Sequence, residues 1–286
     1  MKWPQLHQAA YFRYAGVARL LLQNLTETNG TSACDIKRQK ERALHIAAGV
    51  KAIEVAKVLI EYGTDVHCLS RGKSTVLHAA CQSRMYPIVD MVKFLCQYGV
   101  DVNAVNNFDS PALHYAAMMD HYGAVEVLIQ NGADVNHRKN HRGETWAALN
   151  LAVREGNIDV VKLLIKNGAD VNIVDQNKFS ILHCAVYCRP HVSREIDEDD
   201  MIQFEGYAAC IVRSPSTYLK LTLQLICCGA KITENNCFYW KDRTEILGPI
   251  EDRLKLLRDG NPMGTTLMSE EERRFMWNLA FFFTWQ

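Results

Sequence analysis

The sequence predicts an all-α solenoid, a stack of short helix-turn-helix units with extended turn tips, followed by a helical C-terminal tail. Three observations carry this. A glycine-centred segment recurs five times: Tyr62-Gly63-Thr64-Asp65-Val66, Tyr98-Gly99-Val100-Asp101-Val102, Asn131-Gly132-Ala133-Asp134-Val135, Asn167-Gly168-Ala169-Asp170-Val171 and Cys228-Gly229-Ala230-Lys231-Ile232. The gaps between successive glycines are 36, 33, 36 and 61 residues, and a period of this size marks one supersecondary unit copied in series. A second signature precedes each glycine: Ala43-Leu44-His45-Ile46-Ala47-Ala48, Val76-Leu77-His78-Ala79-Ala80, Ala112-Leu113-His114-Tyr115-Ala116-Ala117, Ala148-Leu149-Asn150-Leu151-Ala152-Val153 and Ile181-Leu182-His183-Cys184-Ala185-Val186.

Each part of the unit has a physical reason. Alanines let one helix lie close to its neighbour, and the leucine supplies the core contact. A second helix follows, its apolar residues spaced along one face, as with Val160, Val161, Leu163, Leu164 and Ile165. The glycine after it suits a left-handed C-terminal cap, which other residues adopt only at a cost. The Asp-Val-Asn that follows, as at Asp101 to Asn103, reads as an extended turn whose side chains bond nearby backbone. Because a unit touches only its neighbours, the core grows along one axis and leaves a long surface instead of a pocket.

These residues resemble the ankyrin repeat, a unit of about 33 residues with a T-P-L-H-x-A box. The resemblance covers residues 41–187. Residues 4–25 read as a degenerate first unit, with Leu6-His7-Gln8-Ala9-Ala10, Val17-Ala18-Arg19-Leu20-Leu21-Leu22, and Leu25 in the glycine slot. Residues 218–233 resemble only the second half of a unit. The organisation expected is therefore a capping repeat and linker at 1–40, an array at 41–233 with an insertion at about 188–217, and a helical cap or tail at 234–286. The box's proline slot holds Ala43, Val76, Ala112, Ala148 and Ile181, and Pro111 lies one position early. Proline presets the first turn of a helix, so the inner helices are expected to start less firmly than in an idealised array. The resemblance implies a protein-binding scaffold without chemistry of its own, whose partner docks on turn tips and inner helices.

Composition narrows the function classes. The 286 residues carry 32 basic and 32 acidic side chains, so no global field steers the chain onto nucleic acid or anionic lipid. Ten cysteines follow no regular framework, which fits free thiols in a reducing compartment. Met1-Lys2-Trp3-Pro4-Gln5 lacks the apolar run of a secretory signal, and no stretch approaches the roughly 18 apolar residues of a membrane span. The expectation is a cytoplasmic protein, with the nucleus also compatible. On that expectation the sequons Asn24-Leu25-Thr26 and Asn29-Gly30-Thr31 are chance matches.

Catalytic and metal motifs are absent from the sequence: there is no P-loop, G-x-G-x-x-G, G-x-S-x-G or H-E-x-x-H. The recurring His7, His45, His78, His114 and His183 sit at one place in successive units, which argues for a structural hydrogen bond between loop and helix. Cys184 and Cys188, or Cys227, Cys228 and Cys237, lack the paired C-x-x-C of a structural zinc site. No enzyme activity, cofactor, metal or small-molecule substrate is expected.

The candidate partner-binding residues lie at the tips: Arg71 and Lys73, Asn107 and Phe108, Arg138, Lys139, Asn140 and Arg142, and Lys178 and Phe179. The run His137-Arg138-Lys139-Asn140-His141-Arg142 is the strongest local positive patch. It reads either as a solvated turn or as a contact for an acidic partner segment. Aromatic and arginine side chains at exposed tips count for more, because they dominate binding energetics. Three places break the period. Ser83 to Pro87 lengthens the link inside one unit, and His141 to Trp146 adds about two residues before the next helix. The insertion after Tyr187 contains Glu195, Asp197, Glu198, Asp199 and Asp200, either a solvated loop or an acidic arm for a basic partner. In the tail, Ser269 and Glu272 make a capping box for a final helix, which runs into the apolar segment from Phe275 to Trp285. That segment folds back on the array, which is the favoured reading, binds a second protein, or is covered by further chain. The functional expectation is an intracellular interaction scaffold or adaptor. The alternative is a substrate-recognition subunit of a ubiquitin ligase, with the tail docking a ligase adaptor.

Overall fold

The leucine-histidine segments and the apolar runs after them form successive helix pairs in a computed structural model. It describes residues 4–27, 33–84, 88–141, 144–174, 180–187, 221–222, 224–225 and 228–230. The pairs are α1 (Gln5–Tyr11) with α2 (Ala15–Glu27), α3 (Ala33–Gly49) with α4 (Ile53–Glu61), and α5 (Val76–Cys81) with α6 (Val89–Gln97). Next come α7 (Ala112–Met118) with α8 (Tyr122–Gln130) and α9 (Ala148–Glu155) with α10 (Ile158–Lys166), and α11 (Ile181–Tyr187) opens a last unit. Inner helices pack in series from α1 through α3, α5, α7 and α9 to α11; α2 packs on α4, α6 on α8, and α8 on α10.

The core repeats with the sequence. Leu44, Leu77, Leu113, Leu149 and Leu182 are fully buried on the inner helices, as are Leu59, Leu95, Leu128 and Leu164 on the outer ones. Burying such a side chain stabilises by about 2 kcal/mol. Alanines Ala47, Ala80, Ala116 and Ala152 are buried without any exposed area, which is what lets neighbouring inner helices approach. All five marker glycines have φ between +74° and +91°, confirming the left-handed cap read from the sequence. At Gly132 the cap is closed twice: its N–H donates to Ile129 O at 3.0 Å and the Ala133 N–H to Leu128 O at 3.0 Å.

Two expectations need correction. Residues 33–40, read as linker, are helical, because α3 begins at Ala33 with Asp35 in its first turn, where a carboxylate favours the helix dipole. The lengthened approach around His141 to Trp146 is a hairpin: β1 (Lys139–His141) pairs antiparallel with β2 (Glu144–Trp146), placing Lys139 opposite Trp146 and Asn140 opposite Thr145. Thr145 and Trp146 are strand-forming residue types, and the two-residue connection contains Gly143. This hairpin is a local addition to an otherwise helical array.

At α5 and α9 the missing proline is answered by the third residue of the helix. His78 Nδ1 accepts the Thr75 N–H at 3.1 Å, while the Thr75 hydroxyl caps α5. At α9 the Asn150 side chain accepts the Ala147 N–H at 3.2 Å. At α7, Pro111 holds this place and has no N–H to offer.

Three rows of side-chain hydrogen bonds tie units together. In the first, histidine Nε2 donates to a carbonyl of the next unit: His7 to Gln39 (3.2 Å), His45 to Ser74 (3.0 Å), His78 to Ser110 (2.8 Å) and His114 to Trp146 (3.1 Å). The histidines thus have the structural role expected, but the bond runs between units. In the second row, Asn103 donates to Gly132 O (2.9 Å) and accepts the Asp134 N–H (2.8 Å), and Asn136 repeats this with Gly168 and Asp170. Asn172 continues the row to Gly229 O at 3.2 Å, across 57 residues of chain. In the third, His121 donates to Ser83 O (2.6 Å), and Asn157 to Ala117 O (2.8 Å) and Met118 O (3.1 Å).

Candidate functional site

The tips are closed turns. In Ser70 to Ser74, the Lys73 N–H donates to Ser70 O at 3.0 Å; in Asn106 to Ser110, the Asp109 N–H donates to Asn106 O at 3.0 Å. Both turns place a non-glycine residue in the left-handed region, Lys73 at φ +56° and Asp109 at φ +53°. The Asn106 side chain accepts the N–H groups of Phe108 and Ser110 and donates to the Tyr115 hydroxyl at 2.7 Å. Adjacent tips are also tied: the Asn107 N–H donates to Gly72 O at 2.9 Å, and His137 Nε2 to Asp109 O at 3.1 Å. A surface held this way loses little further freedom when a partner lands on it.

Of the residues singled out from the sequence, Arg71, Lys73, Asn107 and Arg138 are exposed, and Phe108 and Lys139 are half-buried. Arg138 lies 3.3 Å from Asp170 of the next unit, so part of the positive patch already faces a carboxylate. Both partners of that pair are nearly half exposed, where such pairs are worth little. Asn140 sits on β1 opposite Thr145. Arg142, Lys178 and Phe179 lie outside the described residues.

Sequence reasoning missed a row. Leu69, Val105 and Val174 are 55%, 37% and 47% exposed, and each stands two residues after the third residue of its Asp-Val-x turn, that is after His67, Asn103 and Asn172. Arg138 holds the same place after Asn136. The signal was available in the register of the repeat, but single apolar residues inside a polar turn do not stand out by composition. On the inner-helix side, Tyr115 and Trp146 are half-buried, and the Arg154 guanidinium lies 5.2 Å from the Trp146 ring centre while its Nε bonds Glu155 at 3.1 Å.

The titratable groups inside the stack serve structure. Burial pushes His78 down to about 4 and His114 down to about 3, against opposing carbonyl bonds from Ser110 and Trp146. His7 and His121 are lowered for the same reason. His114 Nδ1 is buried without a hydrogen-bond partner, the consequence of Pro111 standing where Thr75 serves His78. Burial raises the Cys68 thiol to about 12 and raises Cys81 and Cys96, so these thiols are inert. Among the described residues no group of three or more His, Cys, Asp or Glu gathers as a metal site, and no described helix is long and apolar enough to cross a membrane. A cavity of about 170 Å³ between α3 and the turn at Gly63 to Asp65, lined by Ile36, Lys37, Lys40 and Thr64, falls short of the roughly 300 Å³ of small-ligand sites. The insertion, the tail and the ligase-docking alternative that depends on residues 234–286 lie outside the described residues.

A family model described as ankyrin repeats in three copies matches residues 44–139 and 137–196. No curated protein matches the chain. The matched span is over half of the sequence, and it carries α4 to α11, the caps at Gly63, Gly99, Gly132 and Gly168, and the inter-unit bonds of His45, His78 and His114. The chain belongs to the ankyrin-repeat family.

Proposed function

We propose that this protein is an interaction scaffold or adaptor that grips a protein partner along the tip edge and the adjoining inner helices. Ankyrin repeats are in general protein–protein interaction modules. The observation that carries the reading here is the row formed by Leu69, Val105, Arg138 and Val174 in one register, the first three on tips that are hydrogen-bonded to one another. Units that pack like neighbouring helices bring these side chains about 10 Å apart. Around the row stand Arg71, Lys73, Asn107, Phe108, Lys139 and Asn140, with Arg142, Lys178 and Phe179 extending the set by sequence. Arg71, Lys73, Arg138, Lys139 and Arg142 favour an acidic partner segment, and the apolar row favours one with exposed aliphatic or aromatic residues. The same reading puts the protein in the cytoplasm or nucleus, where its free thiols stay reduced.

The test begins with partners identified by proximity labelling and purified. Reversing charge at Arg138, Lys139 and Arg142 together is expected to leave the circular dichroism spectrum unchanged and to weaken such a partner at least about tenfold, the loss of roughly 1.4 kcal/mol. Leu69→Asp with Val105→Asp is expected to do the same. Partners that bind both variants as tightly as the unaltered chain would remove the tip edge from the function.

A further inference from the structure

The joint between the second and third units lacks the polar ties that hold the later joints. Asn103 and Asn136 stand four residues after their glycines and bond the turn of the next unit. Four residues after Gly63 stands His67, an exposed residue. Its backbone N–H donates to Asp65 at 2.9 Å, and among the described residues no bond runs from its ring to Gly99 or Asp101. Eleven residues before their glycines, His121 and Asn157 reach back to carbonyls of the unit before. At that place in the third unit stands Ile88, buried at 2% exposure and without a side-chain donor.

The outer helices part at the same joint. α4, α6, α8 and α10 are each nine residues long, and α6 packs closely on α8 and α8 on α10, whereas α4 and α6 stand farther apart. Side-chain size accounts for this. Gly123 of α8 approaches Val89 of α6 so nearly that an added Cβ would lie 2.5 Å away, which identifies the side of an outer helix that meets its predecessor. On that side, eight and five residues before the glycine, α8 carries Ala124 and Val127 and α10 carries Val160 and Leu163, but α6 carries Met91 and Phe94. Met91 and Phe94 are 1% and 8% exposed, so they fill the wider gap. The link from α5 to α6, residues 82–88, is also longer than the three residues between α7 and α8, which lets α6 stand off.

The inner side of this joint is held firmly. α3 packs on α5, His45 Nε2 donates to Ser74 O at 3.0 Å, and the buried Cys68 places its Sγ 3.7 Å from His45 Nδ1. Ala52 shows that the joint before this one also lacks the back-reaching donor, but there α2 packs closely on α4 and Arg19 reaches Glu61 at 3.0 Å.

We propose that the joint between the second and third units is a hinge: units one and two move as one block, units three to five as another, and the blocks tilt about the α3–α5 contact. A hydrogen bond has a direction and penalises tilt, whereas apolar burial is non-directional. Met91 adds an unbranched, adaptable side chain that follows small movements of its neighbours. Helix shifts of about 1–2 Å are the usual scale of such movements. The hinge lets the array change its curvature at one place while every other described joint keeps its form.

The test places genetically encoded spin labels in the full chain at two pairs of positions, Lys57 with Glu126 and Lys93 with Lys162, each six residues before its glycine. Both pairs span two joints, roughly 20 Å if units pack like neighbouring helices, and only the first pair includes the hinge. Double electron–electron resonance is expected to give a distance distribution for the first pair at least about twice as broad as for the second. His67→Asn, at an exposed position, supplies the amide that Asn103 and Asn136 provide elsewhere. It is expected to narrow the first distribution to the width of the second, with unchanged circular dichroism. Equal widths for the two pairs, a broader second pair, or a first-pair width that His67→Asn leaves unchanged would overturn the hinge.

Discussion

The inter-unit histidines make the stack sensitive to acid, and His78 allows the effect to be measured. Its folded-state pKa, about 4, lies below its ordinary value of 6.5. The unfolded chain therefore binds a proton there that the folded chain does not. The sign follows: this contribution is fully present above about pH 6.5 and is lost as pH falls toward 4. Each fully buried neutral histidine removes about 1.4 kcal/mol per pH unit across that window, so about 2 kcal/mol between pH 7 and pH 5. His114, driven still lower to about 3, adds a similar amount, and the pair accounts for on the order of 4 kcal/mol, a large share of the stability of a typical domain. His7 and His121 act in the same direction. The perturbation is His78→Asn, chosen because Asn150 already fills this slot at α9 and holds the Ala147 N–H there. Urea unfolding followed by circular dichroism at pH 7 and pH 5 gives the two stabilities for each protein. The variant is expected to be weaker at pH 7, having lost the bond to Ser110, yet to lose about 2 kcal/mol less on acidification than the unaltered chain. An equal acid loss in both proteins would refute the claim that buried neutral histidines govern this dependence.

Three further outcomes follow from the backbone. Gly132 has φ +84° with open space around an added Cβ, so Gly132→Val is destabilising through conformation alone, by at least about 1–2 kcal/mol; an unchanged melting temperature would contradict the left-handed cap. At Gly123 the reason is the opposite one, since an added Cβ would lie 2.5 Å from Val89 Cγ2. Gly123→Ala is expected to cost about 1–3 kcal/mol, and Val89→Ala in the same chain should recover most of it, a coupling that a double-mutant cycle reads directly. Lys73→Gly relieves a lysine held at φ +56° and should stabilise by about 1 kcal/mol while weakening the partner proposed for the tip edge; a variant that is both more stable and unimpaired in binding would detach Lys73 from that edge.

The architecture was legible because its signals are periodic. Gly63, Gly99, Gly132, Gly168 and Gly229 announce a backbone requirement that glycine meets best, and the leucine-histidine segments recur in step with them. Local breaks were harder to read. The hairpin at Lys139 to Trp146 looked like two surplus residues, since three-residue strands leave no alternating pattern to detect. Helix α3 extends back to Ala33 through Lys37, Arg38, Gln39 and Lys40, good helix formers whose polarity resembled a linker. The histidines' role was visible from their period, whereas their acceptors were not, because an acceptor carbonyl carries no residue-type signature. At the candidate surface, charged and aromatic tip residues were found by type. Leu69, Val105 and Val174 were passed over because their meaning lies in being aligned across units, and alignment is a property of the stack.

The bond from Asn172 to Gly229 gives the array a place where chain can be added without lengthening the stack. Its counterparts close over 29 and 32 residues, and this one over 57, with the same donor and acceptor types. The Ala230 N–H still reaches Leu225 O at 2.9 Å, as Ala169 reaches Leu164, and Leu221 and Leu225 are fully buried. The bonds that close the units at Gly132 and Gly168 thus recur at Gly229 across the longer separation in sequence. Loop-closure entropy grows only slowly with length, so the longer separation between these two ends costs the neighbouring units' register little.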